Sequence, residues 1–153
     1  MIVAIDPGPT HTAWCMLGDD GVPTAWAKEP SETVINSDWG PHPIVIEMVA
    51  CYGMAVGAEV FETCVVIGRI IQAAAHQGRE ISRLYRMDVK QHLCHRPNAT
   101  DTNIRQALID RFGGKDKAIG KKKTPGPLYG MAGDCWAALA VAITAHDQRP
   151  AYE

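Results

Sequence analysis

Three carboxylates, Asp6, Glu47 and Asp134, stand where an acidic side chain is expensive. Asp6 closes the apolar run of residues 1–5 and precedes Pro7-Gly8. Glu47 closes the run Pro43-Ile44-Val45-Ile46. Asp134 opens residues 135–145, which are apolar on nearly all sides. Each has a plain structural alternative: a turn for Asp6, strand-end solvation for Glu47, a helix N-cap for Asp134. Brought together at one sheet end, they would repel each other and require cations. Hard oxygen ligands with room for water and phosphate suit Mg²⁺, with Mn²⁺ able to substitute. Two such ions about 4 Å apart would activate a water and stabilise the leaving oxygen in phosphodiester cleavage.

The elements that must position these groups can be read from the pattern. Residues 1–6 and 43–47 are short β-branched runs ending in a carboxylate, as buried strands do. In parallel, they would place Asp6 and Glu47 at the same sheet end, where open α/β sheets collect their sites. Residues 10–17 and 22–28, joined by Gly18-Asp19-Asp20-Gly21, read as a hairpin continuing from the first strand. A Pro-, Ser- and Gly-rich connection follows, with room for one short helix. A helix then runs to about residue 75, with Val56, Val60, Cys64, Ile67 and Ile71 as its apolar stripe and Phe61 beside it. Residues 80–86 are strand-like, residues 87–95 form a short helix carrying Lys90, and Thr100 or Asp101 caps a helix to Phe112. Residues 113–130 read as a flexible basic loop, and residues 135–145 as a helix packed on the sheet.

The 153 residues favour one domain, and 46% apolar with 21% charged residues argues against disorder. No apolar run has the length of a membrane span, and residues 1–5 are too short and lack the basic flank of a signal peptide. Five irregularly spaced cysteines suggest reduced thiols in a cytoplasmic setting. The net charge of −2 hides an asymmetry: residues 79–123 carry twelve Lys/Arg against five Asp/Glu, and the remainder three against twelve. A basic segment in an otherwise acidic chain points to a polyanion-facing side, with Lys115, Lys117, Lys121, Lys122 and Lys123 as its densest part.

Four stretches, in order, resemble the RuvC-type Holliday-junction resolvases of the RNase H-like superfamily. Ile5-Asp6-Pro7-Gly8 with Thr12 and Trp14 is similar to their opening motif, and Val45-Ile46-Glu47 to their second acidic motif. Tyr85-Arg86-Met87-Asp88-Val89-Lys90-Gln91 followed by Asn98-Ala99-Thr100 resembles their lysine-bearing segment. Asp134 with residues 138–144 resembles their final helix. The lead-in Pro125-Gly126-Pro127-Leu128-Tyr129-Gly130 is more like phage-borne members.

The resemblance implies an α/β RNase H-like fold, a five-stranded mixed sheet flanked by helices. It implies a homodimer that makes two symmetrical cuts at four-way or other branched double-stranded DNA, in recombination, repair or phage DNA processing. Asp6, Glu47 and Asp134 would be metal ligands, Lys90 would stabilise charge at the scissile phosphate, and Tyr52 is the nearest counterpart of a wedge residue. The chain also departs from the pattern. The positions three before and three after Asp134 are Met131 and Ala137, so the usual fourth ligand is absent there. Asp101 or Thr102 replaces a second lysine. A catalytically weak or inactive branched-DNA-binding protein of the same fold is therefore the alternative. Asp6-x-Gly8-x-Thr10 also fits the phosphate loop of actin-like ATPases, whose duplicated domain has no second copy here. His92, Cys94 and His95 lack the CxxC partner of a zinc module.

Overall fold

A computed structural model describes residues 1–149. Five strands form one mixed sheet in the order β3-β2-β1-β4-β5. They are β1 (Ile2–Asp6), β2 (His11–Leu17), β3 (Pro23–Pro30), β4 (Ile44–Met48) and β5 (Ile81–Tyr85). β2 is antiparallel to β1 and β3, while β4 runs parallel to β1 and to β5. The carboxyl ends of β1, β4 and β5 therefore share one edge. The helices are α1 (Ser31–Ile35), α2 (Ala58–His76), α3 (Arg86–Cys94), α4 (Asp101–Arg111), α5 (Lys115–Ala118) and α6 (Cys135–Asp147). The α/β class and the mixed five-stranded sheet agree with the sequence reading. Among the described residues no helix is long and apolar enough to cross a membrane.

The period of two along β1 divides the core. Ile2 and Ala4 face α6 with Cys15, Leu17 and Val45, whereas Val3 and Ile5 face α1 and α2 with Ile44 and Ile46. Asp6 continues the parity of Ile2 and Ala4, and Glu47 that of Val45. Both carboxylates therefore belong to the α6 face. The small side chains of Ala4, Ala13, Ala138 and Ala142, all essentially inaccessible, let that helix lie close on the strands.

Two expectations are corrected. The buried face of α2 is Thr63, Val66, Ile67, Ile70 and Ala74. Cys64 of the expected stripe is exposed, and so is Phe61 beside it. The apolar residues of α2 cover more than one face, so periodicity alone could not choose which one meets the sheet. Residues 113–130, expected to be an unstructured loop, contain α5 and a small hairpin of β6 (Gly120–Lys121) and β7 (Thr124–Pro125). Ala118 and Leu128 anchor it in the core, and a Cβ on Gly126 would sit 2.2 Å from the Lys117 carbonyl oxygen, so the close backbone approach requires glycine.

The carboxyl ends of α3, α4 and α6 are locked by one carboxylate. Arg111 donates to both oxygens of Asp147 at 2.7 and 2.6 Å, and His92 Nε2 lies 2.7 Å from it. Burial works against the charge, but the hydrogen bonds from Arg111 and His92 prevail and lower the Asp147 carboxyl to about 2. A depressed carboxyl contributes stability above its ordinary value of 3.8 that is lost as pH falls through about 2. We expect Asp147→Asn to lose about 1–3 kcal/mol at pH 7. Thermal melts should show the difference shrinking between pH 4 and pH 2.

Candidate active site

The site is built on one row across three strands. Asp6 pairs with Ala13 in the β1–β2 register, and Ala13 pairs with Lys28 in the β2–β3 register. Across the other side, Ile5 pairs with Ile46, so Asp6 and Glu47 occupy neighbouring strand ends. The row faces the start of α6, where Asp134 holds the N-cap position without making a side-chain capping bond. Lys28 instead donates from Nζ to Asp134 Oδ2 at 2.5 Å, and that bond raises the lysine's affinity for its proton. The turn after β1 is fixed by polar contacts. Thr12 Oγ1 lies 2.8 Å from Ser31 Oγ, which donates to the Gly8 carbonyl at 2.9 Å, and a Cβ on Gly8 would collide with the His11 carbonyl. Gly8 and Thr12 thus set the exit of Asp6 from the sheet.

Arg86 is the second cation of the site. It begins α3 directly after β5, whose Tyr85 lies beside Met48 of β4. Its guanidinium donates to Glu47 at 3.1 and 3.3 Å and also to Asp101, at the start of α4. The Glu47 side chain is only 10% exposed, so the guanidinium, through Nη1 alone, supplies most of its compensating charge. Burial pushes the Glu47 carboxyl up, and Arg86 offsets only part of that. Burial opposes the Arg86 charge too, yet Glu47 and Asp101 hold it above its ordinary value.

Asp6 has no such partner. No described residue hydrogen-bonds or ion-pairs with its carboxylate at contact distance, and its carboxyl is pushed up to about 8 by burial and then by Glu47 and Asp134. A half-buried carboxylate facing two others is a place where positive charge is missing.

Two hollows meet at Arg86. A polar cleft of about 380 Å³ is lined by Asp6, Arg86, Asp101, Asp134 and Trp136, with Ala137 beside them. An adjoining cavity of about 330 Å³ has Glu47, Arg86 and Lys90 at its polar end and Tyr52 among its apolar walls. The structure therefore brings Asp6 and Asp134 together, and Glu47 with Lys90 and Tyr52. The five lysines lie elsewhere. Lys115 and Lys117 are on α5, Lys121 is on β6, and Lys122 and Lys123 form the exposed hairpin turn. They follow the carboxyl end of α4, an 11-residue helix about 16 Å long whose other end holds Asp101.

Sequence reasoning passed over Lys28, Arg86, Asp101 as a cleft carboxylate, and Arg105. The guanidinium of Arg105 lies 4.8 Å from the Trp136 ring centroid, over the edge of the cleft. Lys28 is 106 residues from Asp134, and only the strand register joins them. Arg86 had a signal, its place at the end of a strand parallel to those of Asp6 and Glu47.

Among the described residues, no three His, Cys, Asp or Glu side chains are close enough to form a ready metal cage. The donor set still suits a hard divalent ion: Asp6 is unpaired, Asp134 and Asp101 line the same cleft, and Glu47 is next to Asp6. Lys28 pairs with Asp134, and Arg86 with Glu47.

The strand order, with acids at the ends of β1 and β4 facing a helix that starts with a third, defines an RNase H-like α/β fold with an acidic strand-end site. The solved structures it resembles include Thermus thermophilus RuvC, at 18% identity and a TM-score of 0.68 over 95% of this chain and 93% of that one. A second is T. thermophilus RuvC in complex with a Holliday junction substrate, at 18% identity and a TM-score of 0.65 over 94% and 90%. No protein-family model and no curated protein matches the chain.

Proposed function

We propose that this protein is a divalent-metal-dependent endonuclease that cuts phosphodiester bonds at four-way or other branched double-stranded DNA. The observation that carries the proposal is the unpaired Asp6 carboxylate, raised to about 8 between Glu47 and Asp134, in a fold shared with a junction-bound RuvC. Asp6, Glu47 and Asp134 would hold the metal, Mg²⁺ or Mn²⁺ and two ions in full occupancy, with Asp101 as the further carboxylate in reach of the cleft. Bound there, such ions would supply a water nucleophile and charge stabilisation at the leaving oxygen. Lys90 would fix the scissile phosphate from the Glu47 side, and Arg86 would hold Glu47 in place. Recombination, repair or phage DNA processing in the cytoplasm of a bacterial cell is the setting this chemistry fits. The direct test is a four-way junction with Mg²⁺ or Mn²⁺, run beside linear duplex, fork and RNA–DNA hybrid. We expect paired nicks in the junction; equal cutting of all four substrates would refute branch selectivity.

The five lysines would grip a DNA arm away from the cleavage centre. Replacing Lys121, Lys122 and Lys123 together by alanine should weaken junction binding with a salt slope shallower by about two to three. The single-turnover cleavage rate at saturating protein should stay unchanged. Homodimerisation would use the exposed apolar side of α2, where Phe61 and Val65 are 63% and 57% exposed. One observation favours the second reading, a junction binder without cleavage: Ala137 lines the cleft where a fourth ligand would stand. That reading expects junction binding and no metal-dependent nicks.

A further inference from the structure

The edge strand β3 sends one cation toward the start of α6. Lys28 stands opposite Ala13, and Ala13 opposite Asp6. Residues directly opposite in an antiparallel ladder share a face. Lys28 and Asp6 therefore lie on the α6 face with only a methyl group between them. The ammonium ends 2.5 Å from Asp134 Oδ2. Glu29, next on β3, belongs to the other face and accepts from Trp14 Nε1 at 2.6 Å, so it does not serve Lys28.

The two cations of the site are held with different firmness. Arg86 donates to Glu47, whose side chain is 10% exposed, and to Asp101 as well. In the Lys28–Asp134 pair the side chains are 48% and 54% exposed. For a pair so open to water, attraction is nearly offset by hydration and side-chain freedom. Lys28 can therefore change partners where Arg86 is fixed. Asp134 has no second tie: it makes no capping bond at the start of α6, and among the described residues Lys28 is its one ion-pair partner. The acids stand on separate cations, and among the described residues no three of them are gathered into a cage.

We propose that Lys28 is an internal competitor for Asp134: it neutralises that carboxylate in the protein without metal, yields it to a divalent ion, and carries its ammonium to a phosphate of the bound DNA. The proposal rests on the metal-dependent nuclease reading and deepens it. A hard divalent cation takes carboxylate oxygen by preference and has twice the charge of an ammonium. The lysine head is a compact charge on a flexible stem, with three donors and no fixed geometry. A phosphate oxygen suits it as well as a carboxylate does. Arg86, which bridges Glu47 and Asp101, has no such freedom. Lys28 thus weakens metal binding in the DNA-free protein and adds a phosphate contact once Asp134 has a metal to serve.

Calorimetric titration of Mn²⁺ into the DNA-free protein tests the competition. We expect Lys28→Met and Lys28→Gln to bind Mn²⁺ about tenfold more tightly than wild type, and Lys28→Arg, which keeps a cation there, to behave as wild type. Arg105→Met removes a positive charge from the cleft edge, where the guanidinium lies over Trp136 and pairs with no carboxylate among the described residues. It measures the general effect of charge and should tighten binding by about twofold or less. Unchanged or weaker Mn²⁺ binding in both neutral Lys28 variants, or a gain no larger than that of Arg105→Met, would overturn the proposal. Lys28 would then position Asp134 or add to the field, without competing. The transfer to phosphate is read from the salt dependence of four-way-junction binding, in EDTA and in Ca²⁺, whose flexible coordination is poorly matched to two-ion cleavage. We expect the slope for Lys28→Met to be shallower than that of wild type by about one in Ca²⁺ and equal to it in EDTA. Equal slopes in both conditions, or the same difference in both, would overturn the transfer. If wild type binds neither Mn²⁺ nor the junction, the nuclease reading fails instead.

Discussion

Asp6→Asn should abolish metal-dependent cleavage and, in the absence of metal, stabilise the fold. The first effect follows from position. Asp6 is the unpaired carboxylate between Glu47 and Asp134, and its removal leaves the cleft without the oxygen that both halves of the acidic cluster share. We expect a loss of roughly 10³-fold or more in single-turnover rate, with junction affinity retained. The second effect follows from the direction of the pKa. The folded Asp6 carboxyl is raised from 3.8 to about 8. Across that window the folded protein keeps a proton that the unfolded chain has released, so stability falls as pH rises. The amide has no charge to desolvate and no repulsion from its neighbours. Its advantage should be absent below pH 4 and reach on the order of 1–3 kcal/mol by pH 8. Melts of both proteins in EDTA across that range check it. A variant that is inactive and no more stable at pH 8 would mean that Asp6 is neither crowded nor short of a cation.

The second large effect concerns Arg86. Its Nη1 donates to both Glu47 oxygens at 3.1 and 3.3 Å and its Nη2 donates to Asp101, so it closes the gap between β4 and α4. Arg86→Met leaves Glu47 buried with its main counter-charge removed. Breaking such a pair by deleting one partner costs about 3–5 kcal/mol when the remaining charge is uncompensated. Glu47 can take up a proton, which limits the loss. We therefore expect about 2–4 kcal/mol at pH 8 and less at pH 5. The double variant Glu47→Gln/Arg86→Met should recover most of it, because no orphan charge remains. Arg86→Lys keeps the charge and loses the two-pronged geometry, and should fall between. If the double variant were as unstable as Arg86→Met, the pair would not be the reason Arg86 is there. Added Mg²⁺ should also rescue Arg86→Met more than wild type, since the ion and the guanidinium answer the same excess of negative charge.

Asp6 and Glu47 were legible as strand-end acids because each ends an apolar run, and Asp134 because it precedes one. A strand that is buried and apolar for three or four residues and then turns acidic announces a group held at a sheet edge, and β1 and β4 did so in the same way. The face they share was also readable in principle, since Asp6 follows the parity of Ile2 and Ala4, and Glu47 that of Val45. Lys28 was not legible. Its relation to Asp6 passes through Ala13 and two antiparallel registers, and its relation to Asp134 through the packing of α6. Arg86 lies in the segment that carries Lys90, but a side chain at a strand–helix junction reaches sideways to elements 15 and 39 residues away. The α2 stripe failed for a different reason: with Phe61, Cys64 and Val65 apolar yet exposed, two faces of one helix compete for the core. The basic segment failed because lysines at its surface masked the buried anchors Ala118 and Leu128.

The central claim is that Asp6, Glu47 and Asp134 together form a divalent-metal site. It is tested most directly by titrating Mn²⁺ into the DNA-free protein and following heat and proton release. The account predicts saturable binding that releases protons near neutral pH, because the Asp6 carboxyl, raised to about 8, must ionise to serve as a ligand. It also predicts that binding strengthens as pH rises and is lost in Asp134→Asn. No saturable binding at millimolar Mn²⁺, or binding equal in wild type and Asp134→Asn, would contradict it.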